Sequence, residues 1–355
     1  GDVYKRQVLF TSGSTGVPKG VVTPHKAITS YIVALVSDYK MDDTYVLGVQ
    51  VPFYYVMTAL DIYGTIAAKA HAYLIPKSKF LFPAYLVQYL YENKINLLSW
   101  VPSALCMIAN TNAFSVADLS AIRLIVFGGE VMPIKQLKAW QQAVPDAVYI
   151  NAYGSTEITD GCTYYIVDRE FKDEDILPIG IPYSNCDVLV IDEHGNPITE
   201  GVGELVVRGN SVGYGYYKDP EKTAEVFIQN PLNSCYPETV YKMGDLVRFN
   251  EYGELEYYGR KDFQIKYMGR RIELGEIEAN VSSIDGVDEN CCVFDSAKKR
   301  IVLFYSGAID DKTLLKTLRS KLPDYMQPRK INHLPEMPHN QNGKINRKLL
   351  ATQIS

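Results

Sequence analysis

The sequence predicts an α/β protein: a mostly parallel sheet with helices on both faces, a β-rich subdomain, and a smaller C-terminal α+β domain. Three observations carry that prediction. Over residues 8–151, short apolar runs alternate with longer stretches of helical period. Over residues 179–258 the pattern changes to strands and turns, and beyond the polar break Gly259-Arg260-Lys261-Asp262 comes a compact mixture of both. A large domain over residues 8–261 and a small one over 262–355 follow, and 355 residues with 47% hydrophobic content suffice for both cores.

In the first region residues 8–10, 44–51, 72–75, 96–100, 124–127 and 148–150 read as strands, and residues 26–37, 55–69, 84–93, 102–110 and 134–143 as helices. Thr23 is placed to cap the first helix, with Pro24 at its first position. Residues 188–191 and 203–208 flank the turn Glu193-His194-Gly195-Asn196-Pro197 and read as a hairpin. In the last region residues 264–268, 289–294 and 301–305 read as strands, and 274–283 and 312–322 as helices. Gly1 to Gln7 is polar and runs straight into a strand, so either these residues are foreign or an N-terminal part is missing.

Composition excludes little but does exclude something. The net charge is −5, from 36 basic and 41 acidic residues without a basic stripe, which argues against nucleic acid and anionic membranes. Residues 53–75, the most apolar stretch, contain Asp61, Lys69 and His71 and read as a buried helix, because charge at bilayer depth is costly. None of the six cysteines forms a CxxC pair, so a zinc site of common spacing is not expected and a reducing cytoplasm is.

Chemistry is concentrated after the first strand, in Thr11-Ser12-Gly13-Ser14-Thr15-Gly16-Val17-Pro18-Lys19-Gly20. Glycines there let backbone N–H groups turn toward one point, and hydroxyls and a lysine add donors, which is what a polyphosphate requires. It is not a Walker A loop, because Gly20 follows Lys19 where Ser or Thr belongs. The segment resembles the phosphate loop of the adenylate-forming superfamily, which includes peptide-synthetase adenylation domains, D-alanine–carrier-protein ligases, acyl-CoA synthetases and luciferases. Further matches recur in that family's order: Asn151-Ala152-Tyr153-Gly154-Ser155-Thr156-Glu157, Gly203-Glu204-Leu205, Tyr241-Lys242-Met243-Gly244-Asp245-Leu246, Gly259-Arg260-Lys261-Asp262, Gly269-Arg270-Arg271-Ile272-Glu273-Leu274-Gly275-Glu276-Ile277-Glu278, Leu322-Pro323-Asp324-Tyr325-Met326-Gln327-Pro328 and Asn342-Gly343-Lys344. In that family a substantial segment precedes the phosphate loop, so the resemblance implies an N-terminally truncated chain.

The resemblance implies joining of a carboxylate to the α-phosphate of ATP with loss of pyrophosphate, then transfer of the acyl group to a phosphopantetheine thiol. It assigns Thr11, Ser12, Gly13, Ser14, Thr15, Gly16 and Lys19 to the β- and γ-phosphates, Thr156 to the α-phosphate, and Glu157 to Mg²⁺. Tyr153 with Gly154 would face adenine, Asp245 would accept from the ribose hydroxyls with Arg260 supporting that side, and Lys344 would bridge carboxylate and phosphate. Alone, Asp245 would read as a turn residue, and Thr156 and Glu157 as a helix cap with a first-turn acid. Asp262 matches the hinge about which the small domain rotates between the two half-reactions.

The matched substrate pocket comprises Val56, Met57, Leu60, Val126, Gly128, Ala152, Asp160 and Gly161. Val56 stands where amino-acid-activating relatives place the aspartate that holds the α-amino group. Burying an ammonium without its partner costs about 3–5 kcal/mol, which disfavours an ordinary α-amino acid. The other walls are apolar or small and favour an apolar or aryl acid, Asp160 could take an amine placed differently, as in a β-amino acid, and Asp61 reads as structural. The resemblance leans toward a carrier protein as thiol partner, with CoA as the alternative acceptor and a non-catalytic nucleotide-binding protein on the same fold as the reading of another class. If Ser355 is a natural end, the carrier acts in trans.

Overall fold

A computed structural model describes residues 5–11, 18–173, 175–261, 264–339 and 345–354. Contacts divide the chain into two compact units, Gly1–Leu9 with Gly20–Lys261 and Phe10–Lys19 with Asp262–Ser355.

The strands β1 (Lys5–Thr11) and β2 (Lys19–Pro24), most of whose residues belong to the larger unit, pair with each other. A twelve-stranded sheet is then built from β3 (Val46–Val49), β4 (His71–Leu74), β5 (Leu97–Trp100), β6 (Leu124–Gly128), β7 (Val148–Tyr153), β8 (Thr163–Ile166), β9 (Pro178–Pro182), β10 (Cys186–Ile191), β11 (Val202–Gly209), β12 (Phe227–Gln229), β13 (Thr239–Phe249) and β14 (Leu255–Arg260). Its order is β10-β11-β13-β14-β9-β8-β7-β6-β5-β3-β4, with β12 on β13. The pairs β3–β4, β3–β5, β5–β6 and β6–β7 are parallel, and from β7–β8 onward the pairing is antiparallel. The β-rich segment therefore continues the parallel sheet, and its apolar cluster around Leu205, Tyr241 and Val247 also takes in Val21, Tyr153 and Ile158.

Helices cover both faces of the parallel part, as the fully buried β5 and β6 require. One face packs Leu98, Trp100, Ile125 and Phe127 against α3 (Pro83–Glu92), α4 (Pro102–Ala109) and α5 (Ile134–Ala143). The other packs Leu97, Leu124, Val126 and Ile150 against Tyr31, Ile32 and Leu35 of α1 (His25–Asp38). Trp100 and Trp140 are fully buried, and each indole N–H donates to a carbonyl, Gly48 at 2.7 Å and Leu105 at 3.0 Å.

The structure corrects several local expectations. Thr23 does not cap α1; it lies in β2, because Val21 and Val22 are buried and Val22 exchanges backbone bonds with Gly215 and Tyr214, keeping the chain extended. Pro24 precedes the helix instead of opening it. Residues 58–68 form the helix expected over 55–69, shortened at its start by a turn from Pro52 to Tyr55; it contains a π-helical turn, Leu60–Gly64, that leads into α2 (Thr65–Ala68), and Lys69 in the left-handed region (φ 55°) ends it. β4 is an exposed edge strand and not a buried one. β9 has proline at both ends, a pattern that demotes a strand, yet it lies inside the sheet, where the Pro178 carbonyl accepts from the Asn151 amide at 2.8 Å.

The smaller unit opens with the hairpin β15 (Gln264–Tyr267) and β16 (Arg270–Glu273), whose turn residues Met268 and Gly269 both have positive φ. α7 (Leu274–Ser282) and α8 (Asp311–Lys321) cover the sheet of β17 (Val287–Asp295), β18 (Arg300–Gly307) and β19 (Lys330–His333). Asp310 caps α8, accepting from the backbone N–H groups of Lys312 and Thr313 at 3.0 Å.

Candidate active site

The strand β7 brings the first group of residues together. After Tyr153 the chain turns at Gly154, where a Cβ would lie 1.9 Å from the Asp160 carbonyl oxygen, so only glycine fits. A single 3-10 turn, Thr156–Ile158, follows, closed by Thr159 and Asp160 in left-handed conformation. Thr159 is anchored by its hydroxyl to the Ser211 carbonyl at 2.8 Å. This fold-back buries Glu157 completely. The Tyr216 hydroxyl donates to Glu157 Oε1 at 2.9 Å, and the Gly213 N–H donates to the Glu157 carbonyl at 2.8 Å. The Ser155 hydroxyl, one residue from Thr156, is buried without a hydrogen-bond partner among the described residues. Orphaned hydroxyls of this kind suit a ligand rich in acceptor oxygens. Removing the Tyr216 hydroxyl (Tyr216→Phe) is expected to cost about 1 kcal/mol of stability, measured by denaturant unfolding.

A second group forms where β13 and β14 pair. Asp245 lies directly opposite Arg260 in the register, and both side chains are almost fully buried. Arg260 donates to Asp245 and, at 3.2 Å, to the Met243 carbonyl; the Tyr153 hydroxyl also donates to Asp245. The Tyr153 ring is buried in the cluster with Ile158, Cys162 and Met243, next to Tyr257, so burial and the Asp245 charge hold its hydroxyl far above the usual phenol range. Tyr153, Asp245 and Arg260, separated in sequence, are thus one hydrogen-bonded cluster. Lys19, in the smaller unit, points its ammonium at Glu273, 3.3 Å from Oε1. Ser12, Gly13, Ser14, Thr15, Gly16, Asp262 and Lys344 lie outside the described residues.

Of the expected pocket residues, Val126, Gly128 and Ala152 share one sheet face, with Gly128 beside Ala152 in the β6–β7 register. Leu60 packs on that face with Val126, Ile150, Tyr31 and Tyr183. Met57 packs instead against the cluster on the opposite face, and Val56 is half-buried. Asp160 and Gly161 complete the group: Asp160 accepts from the Tyr31 hydroxyl at 2.9 Å, and a Cβ on Gly161 would clash with Tyr31 and Tyr183. Sequence reasoning missed Tyr31, whose position on the inner face of α1 gave it the signature of a core aromatic. The site lies at the C-terminal ends of parallel strands, the usual place for ligands in such sheets.

A family model described as AMP-binding enzyme matches residues 6–217, and one described as AMP-binding enzyme C-terminal domain matches residues 276–344. The chain belongs to the AMP-binding enzyme family, and is therefore an adenylate-forming ligase by family. It is 34% identical over 355 residues to Tyrocidine synthase 3 of Brevibacillus parabrevis, across 97% of this chain and 5% of that protein. It is 31% identical to the L-proline–[L-prolyl-carrier protein] ligase of Streptomyces coelicolor, across 97% of this chain and 65% of that protein. The crystal structure of IdnL1 superposes with a TM-score of 0.83 at 29% identity, across 93% of this chain and 68% of that one. The chain thus spans only part of the length of each protein it matches. Among the described residues no helix is long and apolar enough to cross a membrane.

Proposed function

We propose that this chain activates a small carboxylic acid with ATP, releases pyrophosphate, and passes the acyl group to the phosphopantetheine thiol of a carrier protein. The observation that carries the reading is the buried Tyr153–Asp245–Arg260 cluster beside the Thr156–Glu157 turn, in a chain of the AMP-binding enzyme family. Both reactants are anions, so the protein must screen charge and hold an in-line approach. Donors of the segment 11–19 and Thr156 bind the phosphates. Asp245 retains acceptor capacity for a ribose hydroxyl, because a carboxylate has about four lone-pair sites. The ring of Tyr153 or its edge borders adenine, and Arg260 orients Asp245. Glu157 supplies the single protein carboxylate for Mg²⁺, which screens the phosphate charge when bound.

Lys344 brings an ammonium to the reacting carboxylate and phosphate, and Asp262 is the hinge between domains 8–261 and 262–355. The carrier-protein acceptor draws support from the relative whose name specifies a prolyl-carrier-protein ligase. ATP–pyrophosphate exchange with a panel of acids tests the first half-reaction: no exchange with any acid would overturn adenylation. Thioester formation compared on CoA and on a phosphopantetheinylated carrier tests the acceptor, with at least tenfold preference for the carrier expected.

A further inference from the structure

The backbone on either side of residues 340–344 is anchored by side chains that have no part in the nucleotide chemistry. Lys344 is joined by one peptide link to Ile345, so their α-carbons are about 3.8 Å apart. His339 and Ile345 form an antiparallel bridge, and the Asn346 N–H donates to the Pro338 carbonyl at 2.7 Å. These main-chain bonds are few. The bridge is isolated, and the helix that follows, Arg347–Thr352, has six residues, too few to stand alone. Side chains supply the rest. The Arg347 guanidinium reaches Glu278 of α7 at 2.7 Å and the Cys292 carbonyl of β17 at 3.2 Å. Glu278 in turn accepts from the Cys292 N–H at 2.6 Å. On the other side of the bridge His339 Nε2 lies 2.8 Å from Glu289 Oε1. All of these residues belong to the smaller unit.

The side chains of Arg347 and Glu278 are only 19% and 18% exposed. Charges so enclosed lose hydration that their attraction barely offsets, so the pair is poor evidence of stability. What it does provide is direction. A planar guanidinium that grips a carboxylate and a carbonyl at once fixes the backbone that carries it. We infer that Glu278 and Arg347 are positioning residues for Lys344: their pair sets the path of the chain at Ile345 and so aims the ammonium. The inference rests on the adenylation reading and goes beyond it, since neither residue is assigned a contact with substrate or nucleotide. The pair also ties two of the matched motifs, residues 269–278 and 342–344, to one strand of the sheet. Precision matters there, because a reacting group displaced by about 1 Å loses on the order of 100-fold in rate.

The test compares Lys344→Ala, the double variant Glu278→Gln/Arg347→Met, and all three changes combined, in ATP–pyrophosphate exchange with the best acid of the panel. Gln keeps an oxygen for the Cys292 N–H, and removing both charges leaves neither uncompensated. The double variant is therefore expected to fold, with Tm within about 3 °C of the unsubstituted protein. Its kcat is expected to fall by about tenfold or more, with KM for ATP within about twofold. Added to Lys344→Ala, the same two changes are expected to cost less than about threefold, because no ammonium is left to aim. A smaller loss in kcat, a loss carried by KM, or one that multiplies onto Lys344→Ala overturns the inference while leaving adenylation standing. Should the double variant not fold, Arg347→Lys takes its place under the same criteria, since it keeps the charge and gives up the fork. Silence of the unsubstituted protein with every acid counts against adenylation, and hydrogen exchange without ligand then decides the anchoring. Amides of residues 345–350 exchanging about tenfold faster in the variant, with residues 300–307 unchanged, support it. Equal protection overturns it.

Discussion

Replacing Lys344 by alanine is expected to lower ATP–pyrophosphate exchange about a hundred- to a thousand-fold, the usual loss when one preorganised electrostatic stabiliser is removed. The reason is the charge of the reactants. A carboxylate approaches a phosphate that is itself negative, and the transition state gathers both charges in a small volume. An ammonium brought to both oxygens, the role proposed for Lys344, would relieve that repulsion at the moment it is greatest. The second half-reaction has no such need, because the acyl-adenylate carries less charge at its carbonyl and the nucleophile is a thiol. Thiol transfer from preformed adenylate, followed in a single turnover, should therefore keep most of its rate in Lys344→Ala. A comparable loss in both steps would remove the assigned role. So would a KM effect on ATP with kcat unchanged, which signals uniform binding instead of transition-state stabilisation.

Legibility in the sequence followed the physical origin of each feature. The parallel strands were readable because full burial on both faces leaves continuous apolar runs, as in Leu124–Gly128. The segment 55–69 was readable as a helix because its apolar content satisfies a helical period, and residues 58–68 are helical; its late start after the Pro52–Tyr55 turn and its π-helical turn had no local signal. β2 hid behind the Gly-rich segment, since nothing local announces that Val22 pairs with residues 214 and 215. In the site, the residues that the resemblance assigns to the nucleotide announced themselves as ordered motifs. The partnership of Tyr153, Asp245 and Arg260 did not, because it joins three motifs through space. Asp61 was legible only as an acid one turn along a presumed helix; that both its oxygens lack donors is a property of the fold alone.

Asp245 offers the second large effect, and it separates what the fold needs from what the ligand needs. Asp245→Asn removes the charge that balances the Arg260 guanidinium at a buried register pair. Breaking a buried pair from one side costs about 3–5 kcal/mol, read as a shift of the denaturant midpoint. Because Asn keeps an oxygen for the Tyr153 hydroxyl, the loss should fall on the Arg260 side. The same substitution should raise KM for ATP by about a hundredfold, through loss of a charged acceptor. The two consequences come apart in the double variant Asp245→Asn/Arg260→Met. With the guanidinium gone, most of the lost stability should return, because the costly element was an uncompensated charge and not a missing bond. ATP affinity should not return, since no acceptor has been restored. If affinity recovers together with stability, Asp245 serves the β13–β14 pair alone and the nucleotide contact must be sought elsewhere.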